Sequence, residues 1–595
     1  MADTEEIKKR WRKGIRRRRR EAAALSQQAD QNIDRLLLRR FDRLLSVRRF
    51  VLLWVALFIL LIFSSVLQFR ALSNYYQALQ PIPGGLYNEG LVGTFSNANP
   101  LYASGTADSA ISRLVFSGLF KYDNDNNLVG DLAKNWRVND AKTSYTVNLK
   151  EKVSWHDGEL FDADDVVFTY QSIQNIEAQS PLYASWRGIK VSIVSAYSVK
   201  FDLPGPLSPF IYSLTGGIIP KHLLSATPPE QLRSASFNTA PIGTGPFKWL
   251  SVEVVGANPA ERQQRITLTA FDKYYGGPPK LEALSIVTFS DERQLTGAFA
   301  AKQVNAISGP ESLPDELKND ADVRTYVTPL ASSVMAFFNH SRQPLNELSV
   351  RRALISAVDK KGLPSLFEYP TRLADGPLLK DQLGYDRTLT QGGFNLEQAN
   401  KLLDDAGFKI GEGGMRLKDG RPLILNLSSQ DTQNYSKVSK FLQEQWARAG
   451  VKVEVNYYSG EDLQSTVIGN HDYDILLYGI SIGVDPDVYA YWHSSQASLT
   501  SEGRLNLSEY KSPAADQAIG EGRTRSDPAI RAVKYQAFLR TWINDAPALA
   551  LYQPNFLYIT RGPVFGLERK AANSNLDRFY SVSDWMIRQK RQDTN

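Results

Sequence analysis

The stretch Tyr145–Tyr170, YTVNLKEKVSWHDGELFDADDVVFTY, carries the pattern that decides the fold. Apolar and polar residues alternate over 143–149, which predicts a β-strand. Asp157-Gly158 then predicts a turn, because glycine tolerates the positive φ that such turns need. Asp162 followed three residues later by Asp165 predicts a capping box at the start of a helix. The stretch therefore predicts a strand, a turn and a helix, in that order.

The same stretch holds a histidine and five carboxylates within eleven residues, WHDGELFDADD (155–165). A metal or acid–base site needs convergent ligands, usually several histidines or carboxylates with partners elsewhere in the chain. The chain has only five histidines, at positions 156, 222, 340, 471 and 493, and none are spaced i, i+4. We interpret the carboxylates as turn and helix-start residues, and predict no catalytic residue, no metal site and no cofactor.

The basic charge of the chain is concentrated at its N-terminus. Residues 1–49 contain 16 Lys+Arg and 7 Asp+Glu, a net charge of +9, whereas the whole chain is +6, so residues 50–595 sum to −3. Nothing in that remainder suggests the basic face of a nucleic-acid-binding protein, and we expect no nucleic-acid partner. The absence of cysteine excludes disulfides, thiolate metal sites and a cysteine nucleophile.

The segment Phe50–Phe69, FVLLWVALFILLIFSSVLQF, is long and apolar enough to cross a membrane as a helix. A cleaved signal peptide is the alternative, but its apolar region would be shorter and would end in small residues. Arg16–Arg20 and the lysines and arginines before them indicate a cytoplasmic N-terminus. We expect a basic cytoplasmic tail at 1–49, a single-pass signal anchor at 50–69, a linker at 70–85 and an extracytoplasmic body.

The body alternates strand-like and helix-like segments, which indicates an α/β or α+β fold. The strand-like segments are Ser144–Val153, Val191–Leu203, Arg265–Ala270 and Val451–Tyr458, and the helix-like ones are Asp164–Ile173, Val350–Val358, Leu396–Ala406 and Tyr435–Ala449.

The segment Gly479-Ile480-Ser481-Ile482-Gly483 matches G-x-S-x-G, the nucleophile elbow of serine hydrolases. An elbow requires a helix directly after the serine, whereas Val484-Asp485-Pro486 follows here, and proline disfavours a helical conformation for the residue before it. His493 is the only later histidine, and it leaves little room for the usual acid segment. A serine hydrolase that uses Ser481 is kept as an alternative.

Together with the opening stretch, nine further segments resemble the extracytoplasmic solute-binding proteins of peptide/nickel-type ABC importers, solute-binding protein family 5. They follow the order of that family from about residue 86 to 585 and comprise Asn99-Pro100, 116–123 (FSGLFKYD), 130–136 (GDLAKNW), 241–247 (PIGTGPF), 271–284, 337–360, 394–408, 472–495 and 506–519.

The resemblance implies an α/β, bilobed periplasmic-binding-protein-like clamp of type II with an extra domain, closing over its ligand. Domain I would comprise 86–119, 216–328 and 546–590; domain II would be 120–215, and domain III 329–545. The resemblance also implies the ligand-binding residues, which are Ser104, Gly105, Thr106, Tyr183, Trp186, Gly479, Ile480, Ser481 and Asp485. An extended peptide would add like a β-strand, with its main chain carrying the affinity.

The sequence departs from the family where peptide recognition is decided. Peptide binders place an aspartate about three residues before the Asp-Pro-like motif, where it pairs with the α-ammonium group of the ligand. Ile482 or Gly483 stands at that spacing here, which argues against recognition of a free amino terminus unless Asp485 or Asp487 substitutes. The scarcity of histidines gives no support to nickel.

The sequence therefore predicts a non-catalytic receptor in the cell membrane that delivers a peptide or peptide-like solute to the permease subunits of an ABC importer. An envelope protein that senses ligand or scaffolds partners on the same fold is the other alternative. The identity of the solute and the role of the basic tail stay open.

Overall fold

The computed structural model describes residue 14 and residues 18–27, 48–256, 258, 262–498, 505–567 and 571–593. The chain divides into two units, one of Met1–Gln80 with Gln589–Asn595 and the other of Pro81–Arg588. Most of the basic tail predicted at 1–49 lies outside the described residues.

Among its described residues, the first unit has the helical segments α1 at residues 18–27 and α2 at Arg48–Tyr76. Within α2, Phe50–Gln68 has a mean hydropathy of 2.9 and is exposed, so it is long and apolar enough to cross a membrane. The strands Gln77–Ile82 and Arg588–Asp593 pair in a two-stranded sheet, and most of both belongs to this unit.

The described residues form 24 strands. These are β1 Gln77–Ile82, β2 Leu86–Val92, β3 Phe120–Tyr122, β4 Leu128–Gly130, β5 Ala133–Val138, β6 Ser144–Leu149, β7 Lys190–Ser195, β8 Ser198–Asp202, β9 Phe247–Val255, β10 Gln263–Ala270, β11 Ala283–Phe289, β12 Ala306–Ser308, β13 Val323–Pro329, β14 Ser332–Phe338, β15 Arg372–Leu373, β16 Lys409–Ile410, β17 Arg416–Lys418, β18 Arg421–Pro422, β19 Ile424–Gln430, β20 Lys452–Tyr458, β21 Ile475–Ser481, β22 Ala548–Gln553, β23 Asn555–Arg561 and β24 Arg588–Asp593.

Helices cover these strands in the second unit. The α-helices are α3 Thr106–Val115, α4 Ala163–Gln174, α5 Tyr183–Trp186, α6 Lys221–Leu224, α7 Glu292–Ala300, α8 Asp315–Lys318, α9 Leu348–Ser356, α10 Leu396–Asp405, α11 Gln433–Ala447, α12 Gly460–Asp462, α13 Tyr489–Trp492, α14 Pro513–Thr524 and α15 Pro528–Asp545. Shorter 3₁₀ segments lie at Ile176–Ala178, Ser208–Thr215, Pro229–Ser234, Ser236–Thr239, Lys360–Leu366, Glu412–Gly414, Ser494–Gln496 and Asn575–Asp584, with a π-helical turn at Leu463–Ile468.

Three large sheets organise the second unit, and the mixed α/β class predicted from the sequence is confirmed. The seven-stranded sheet has the order β13-β23-β12-β2-β11-β10-β9, the six-stranded sheet β15-β22-β14-β21-β19-β20, and the four-stranded sheet β5-β6-β8-β7. Parallel pairs such as β2–β11 and β19–β20 mix with antiparallel ones such as β10–β11.

Two adjacent crossings join the seven-stranded sheet to the six-stranded sheet. Leu330-Ala331 lies between β13 and β14, and Pro554 lies between β22 and β23. The Leu330 N–H donates to the Pro554 carbonyl at 3.0 Å, so the two crossings contact each other. Strand β22 lies in the range predicted for domain I, yet it pairs with β14, which lies in the range predicted for domain III. The three-domain division itself stays a prediction.

The stretch quoted at the outset folds as its pattern predicts. Strand β6 alternates between buried and half-buried residues, with Tyr145, Val147 and Leu149 buried. Gly158 has a φ of +100°, as the predicted turn requires. Asp162 and Asp165 form a capping box at the start of α4, and the interpretation of these carboxylates as helix-start residues is confirmed.

His156 connects this turn to the Pro241–Phe247 loop. Its backbone N–H donates to the Gly243 carbonyl at 2.9 Å, its Nδ1 accepts the Gly243 N–H at 3.2 Å, and its Nε2 lies 3.0 Å from the Gly245 carbonyl oxygen. Gly243 passes so close to α3 that a Cβ there would lie 1.9 Å from the Val115 carbonyl oxygen. Burial lowers the pKa of His156 from 6.5 to about 4, against the opposing effect of its hydrogen bond to Gly245.

This pKa predicts a pH dependence of stability. Because the folded-state pKa of His156 lies below its unfolded value, its neutral form contributes stability above about pH 6.5, and that contribution is lost as the pH falls toward 4. We expect the melting temperature of the full-length His156→Gln variant to fall less between pH 7 and pH 4 than that of the wild type. Thermal unfolding followed by circular dichroism measures this, with His222→Gln as the control. An unchanged pH profile in His156→Gln would contradict the assignment.

Candidate functional site

The larger of two neighbouring cavities lies where the seven-stranded and six-stranded sheets meet, and it has a volume of about 540 Å³. The two crossings Leu330 and Pro554 form part of its wall. The remaining wall comes from the loop Gly309–Glu311, the segment Phe367–Tyr369 with Thr371, the start of α11, the end of β21, Tyr552, and residues 555–557 and 573–575. Segments that are far apart in sequence therefore converge on this cavity.

The smaller cavity, of about 370 Å³, is lined by residues of α3, by Tyr122 and by the loop Thr215–Gly217. Asn573 and Ser574 line both cavities, so the two share one wall. We call residues 573–577 the seam.

Hydrogen bonds hold the seam in place. Ser574 and Asp577 form a capping box, and the Asn573 N–H donates to the Asp577 carboxylate at 2.8 Å. The side-chain amides of Asn573 and Asn126 exchange two hydrogen bonds, of 2.8 and 3.3 Å, which tie the seam to the β3–β4 turn. Directly before the seam, the Ala572 carbonyl accepts the Ala331 N–H at 2.7 Å, beside the crossing.

A buried ion pair lies behind the seam. Arg578 Nη2 is 2.5 Å from Glu89 Oε1, and the exposed fractions of the two side chains are 3% and 0%. Arg578 Nη1 also donates to the Asn575 carbonyl at 2.5 Å, and the Tyr558 hydroxyl donates to Glu89 Oε2 at 2.7 Å. The backbone of a residue that lines the larger cavity is thus fixed by a charge buried in the seven-stranded sheet.

Three of the ligand-binding residues expected from the sequence line the larger cavity: Gly479, Ile480 and Ser481, at the end of β21. A Cβ on Gly479 would lie 3.0 Å from the Tyr435 hydroxyl oxygen, so glycine leaves room for this phenol. After β21, the N–H groups of Ile482 and Gly483 both donate to the Ala331 carbonyl, at 2.9 and 3.0 Å. These two backbone donors are therefore used within the protein.

The other expected residues lie elsewhere. Ser104, Gly105 and Thr106 are exposed and precede or begin α3, which supplies Ser109, Ser112 and Arg113 to the smaller cavity.

Tyr183 is half-buried, and Trp186 is 4% exposed and stacks on Tyr170 with a ring-centroid distance of 4.1 Å. Neither residue is among those that line the two cavities. The binding roles of these expected residues stay predictions.

Asp485 and Asp487 each have an arginine partner. Asp485 lies 2.7 Å from Arg531, with side chains 8% and 9% exposed, and Asp487 lies 3.0 Å from Arg523. Burial raises the pKa of Asp487, and the charge of Arg523 opposes this rise. Both carboxylates are compensated inside the protein, and neither lines the two cavities.

The sequence did not indicate Glu311, Tyr435, Tyr552 or residues 573–575 of the seam, all of which line the larger cavity. Arg113, which is not among the expected ligand-binding residues, lines the smaller cavity, and no described residue forms an ion pair with it. No local sequence pattern marks these positions, because they come together only when segments that are distant in sequence pack against one another.

The surroundings of Ser481 do not match a hydrolase triad. Strand β21 ends at Ser481, and the next helix, α13, begins at Tyr489 rather than directly after the serine. His493 Nδ1 lies 2.9 Å from the Ser495 hydroxyl oxygen, and His493 Nε2 lies 3.9 Å from Asp516. Within the described ranges, no group of three or more His, Asp or Glu side chains is arranged to hold a metal ion.

Two sheets joined by paired crossings, with a cavity where they meet, are the arrangement expected of a periplasmic-binding-protein-like fold. The model of the family described as "Bacterial extracellular solute-binding proteins, family 5 Middle" matches residues 127–501, more than half of the chain. The chain belongs to this family, as the sequence segments predicted.

Individual relatives agree with this assignment. The chain is 26% identical over 486 residues to the oligopeptide-binding protein AppA of Bacillus subtilis, an alignment that covers 80% of this chain and 87% of AppA. The structure of AppA in complex with a nonapeptide has a TM-score of 0.73 at 25% identity, covering 86% of this chain and 100% of that one. NikZ of Campylobacter jejuni, solved in complex with Ni(L-His), also has a TM-score of 0.73, at 27% identity, covering 84% of this chain and 99% of that one. The periplasmic-binding-protein-like fold is thereby confirmed.

Proposed function

We propose that this protein is a membrane-anchored extracytoplasmic receptor that binds a peptide or similar extended solute and delivers it to an ABC importer without catalysing a reaction. The observation that carries this proposal is the pair of cavities that share the seam between the sheets. A ligand that occupies both cavities contacts every segment that meets at the crossings, so its binding favours a closed clamp.

The size and the charge of the cavities support an extended solute. Volumes of about 540 and 370 Å³ that share a wall suit a chain-like ligand better than a single small ion. Arg113 and Asp577 line the smaller cavity, where the Asp577 carboxylate accepts the N–H groups of Asn573 and Ser574, while the charged residues lining the larger cavity are Glu311 and Glu368. An extended solute that carries both charges, as a peptide does, matches this distribution. AppA, a relative named for oligopeptide binding, gives further support.

The apolar helix supports the membrane anchor. Phe50–Gln68 spans 19 residues with a mean hydropathy of 2.9, by length and composition enough for one crossing. Lysine and arginine before this segment favour a cytoplasmic N-terminus. The solute-binding unit Pro81–Arg588 then lies outside, held near a permease at a high effective concentration.

We expect a bound solute in the protein as purified. Native mass spectrometry of full-length protein extracted gently from cells should show an additional small mass. Gly479→Leu should lose most of this mass, because the new side chain would enter the space between Tyr435 and Val334. Gly392→Leu is the matched control, since Gly392 is exposed, lines neither cavity and has no heavy atom within 4 Å of its Cβ position.

If Gly479→Leu retained as much bound solute as the wild type, the solute would have to bind outside the larger cavity. A wild-type protein that is empty, and that binds nothing from peptide, sugar and metal libraries, would favour the scaffolding alternative. Labelling of Ser481 by a fluorophosphonate would favour the hydrolase.

The proposed membrane anchor predicts the location of the mature chain, independently of solute binding. We expect the protein to stay in the membrane fraction after alkaline extraction. A protease added to intact cells, with the outer membrane removed where one is present, should digest Pro81–Arg588 and spare an epitope tag placed before residue 14. A mature N-terminus found after residue 69 would show instead that the segment is a cleaved signal peptide.

A further inference from the structure

The missing aspartate near Ile482 and Gly483 raises the question of which group of the cleft receives a positive charge on the solute. The carboxylates nearest in sequence, Asp485 and Asp487, are paired with Arg531 and Arg523 at 2.7 and 3.0 Å. A carboxylate buried against an arginine cannot turn toward a ligand without leaving that arginine unpaired, which is costly. The segment after β21 therefore offers no carboxylate.

The opposite wall of the larger cavity carries two carboxylates, Glu311 and Glu368, and none of its described lining residues is Lys, Arg or His. Glu368 already has a cation, because Lys318 Nζ lies 3.3 Å from its Oε2. Glu311 has no Lys or Arg partner within ion-pair distance among the described residues. Among the described residues, Glu311 is therefore the carboxylate lining this cavity that has no cationic side chain as a partner.

Glu311 is held in position from two sides. Its Oε2 accepts the Asn434 N–H at 3.0 Å, in the first turn of α11, where a carboxylate suits the positive end of the helix dipole. Its own N–H donates to the Glu292 carboxylate at 2.9 Å. The Ser312 hydroxyl donates to the Gln433 side chain at 3.1 Å, so two contacts join this loop to α11 across the cleft.

An independent observation, the unpartnered hydroxyl of Tyr552, points to a ligand beside Glu311. Tyr552 lines the same cavity and is only 5% exposed, yet its hydroxyl forms no hydrogen bond to any described residue. Burial raises the pKa of Tyr552, and the charges of Tyr435 and Glu311 add to this rise. Because no described residue binds this hydroxyl, it is free to accept a hydrogen bond from a solute in the cavity.

We propose that Glu311 and the Tyr552 hydroxyl together receive an ammonium group of the solute. Carboxylate and phenol oxygens both accept hydrogen bonds, and an ammonium offers three N–H donors. This site replaces, from the opposite wall, the carboxylate that is absent near Ile482. This inference rests on the proposed function, because it concerns a charged group of a solute that is bound in the same cavity.

An ammonium group can come from the amino terminus of a peptide or from a lysine side chain. Three pools of tetrapeptides built from Ala, Gly and Leu distinguish these sources: one with free amino termini, one N-acetylated, and one N-acetylated with a single lysine. Capture of each pool by the full-length protein in detergent is measured by native mass spectrometry. The variants are Glu311→Gln, whose amide oxygen can still accept the Asn434 N–H, and Tyr552→Phe. Glu368→Gln is the matched control, a second lining carboxylate that already has Lys318 as a partner.

The wild type should prefer at least one of the ammonium-containing pools over the N-acetylated pool that lacks lysine. Glu311→Gln should weaken capture of that pool by about ten- to a hundredfold, since a hydrogen bond to a charged group is lost. Tyr552→Phe should weaken it less, and Glu368→Gln should leave it within about threefold. A loss confined to the free-amino-terminus pool assigns the α-ammonium, and a loss confined to the lysine pool assigns the side chain.

If the wild type captured the N-acetylated pool without lysine as well as the two ammonium-containing pools, this inference would be overturned while peptide binding stayed intact. Unchanged capture by Glu311→Gln would do the same. Capture of no pool by the wild type would overturn the proposed peptide binding together with the inference.

Discussion

The cleft depends on one buried ion pair, Glu89–Arg578. Removing one partner of such a pair typically costs about 3–5 kcal/mol, because the other charge is left buried and uncompensated. Arg578 also holds the Asn575 carbonyl, so the position of the seam is set from the interior of the seven-stranded sheet. Glu89 and Arg578 are 489 residues apart in sequence. This wall of the cleft therefore forms only when the two ends of the Pro81–Arg588 unit pack together.

The seam lies beside the crossings Leu330-Ala331 and Pro554, where the chain passes between the sheets. Paired crossings of this kind allow rotation of one lobe against the other with few changes in backbone angle. The Glu311–Asn434 contact joins the loop before α8 to α11 beside the larger cavity, and the Asn126–Asn573 contact joins the β3–β4 turn to the seam. Closure and ligand binding are therefore expected to stabilise each other, because the same segments line the cavities and make these contacts.

Local chemistry made much of the fold predictable. The alternation in β6 and the Asp162 capping box depend on neighbours in sequence, and both were found as expected. The candidate site was predicted only in part, at Gly479–Ser481, because a family pattern marks that segment. No sequence pattern marks Glu311 as a site residue, because its contact with Asn434 involves a helix more than a hundred residues away. Asp485 stood out as an acid before proline, and its burial against Arg531 could not be inferred from spacing.

Enclosure of the solute at the seam can be measured by amide hydrogen exchange. Full-length protein as purified is compared with the same protein after unfolding, removal of small molecules and refolding. The account predicts faster exchange in the stripped protein over residues 309–312, 479–483 and 573–577, with little change in the four-stranded sheet. Identical exchange in these three segments, or a change confined to other regions, would contradict it.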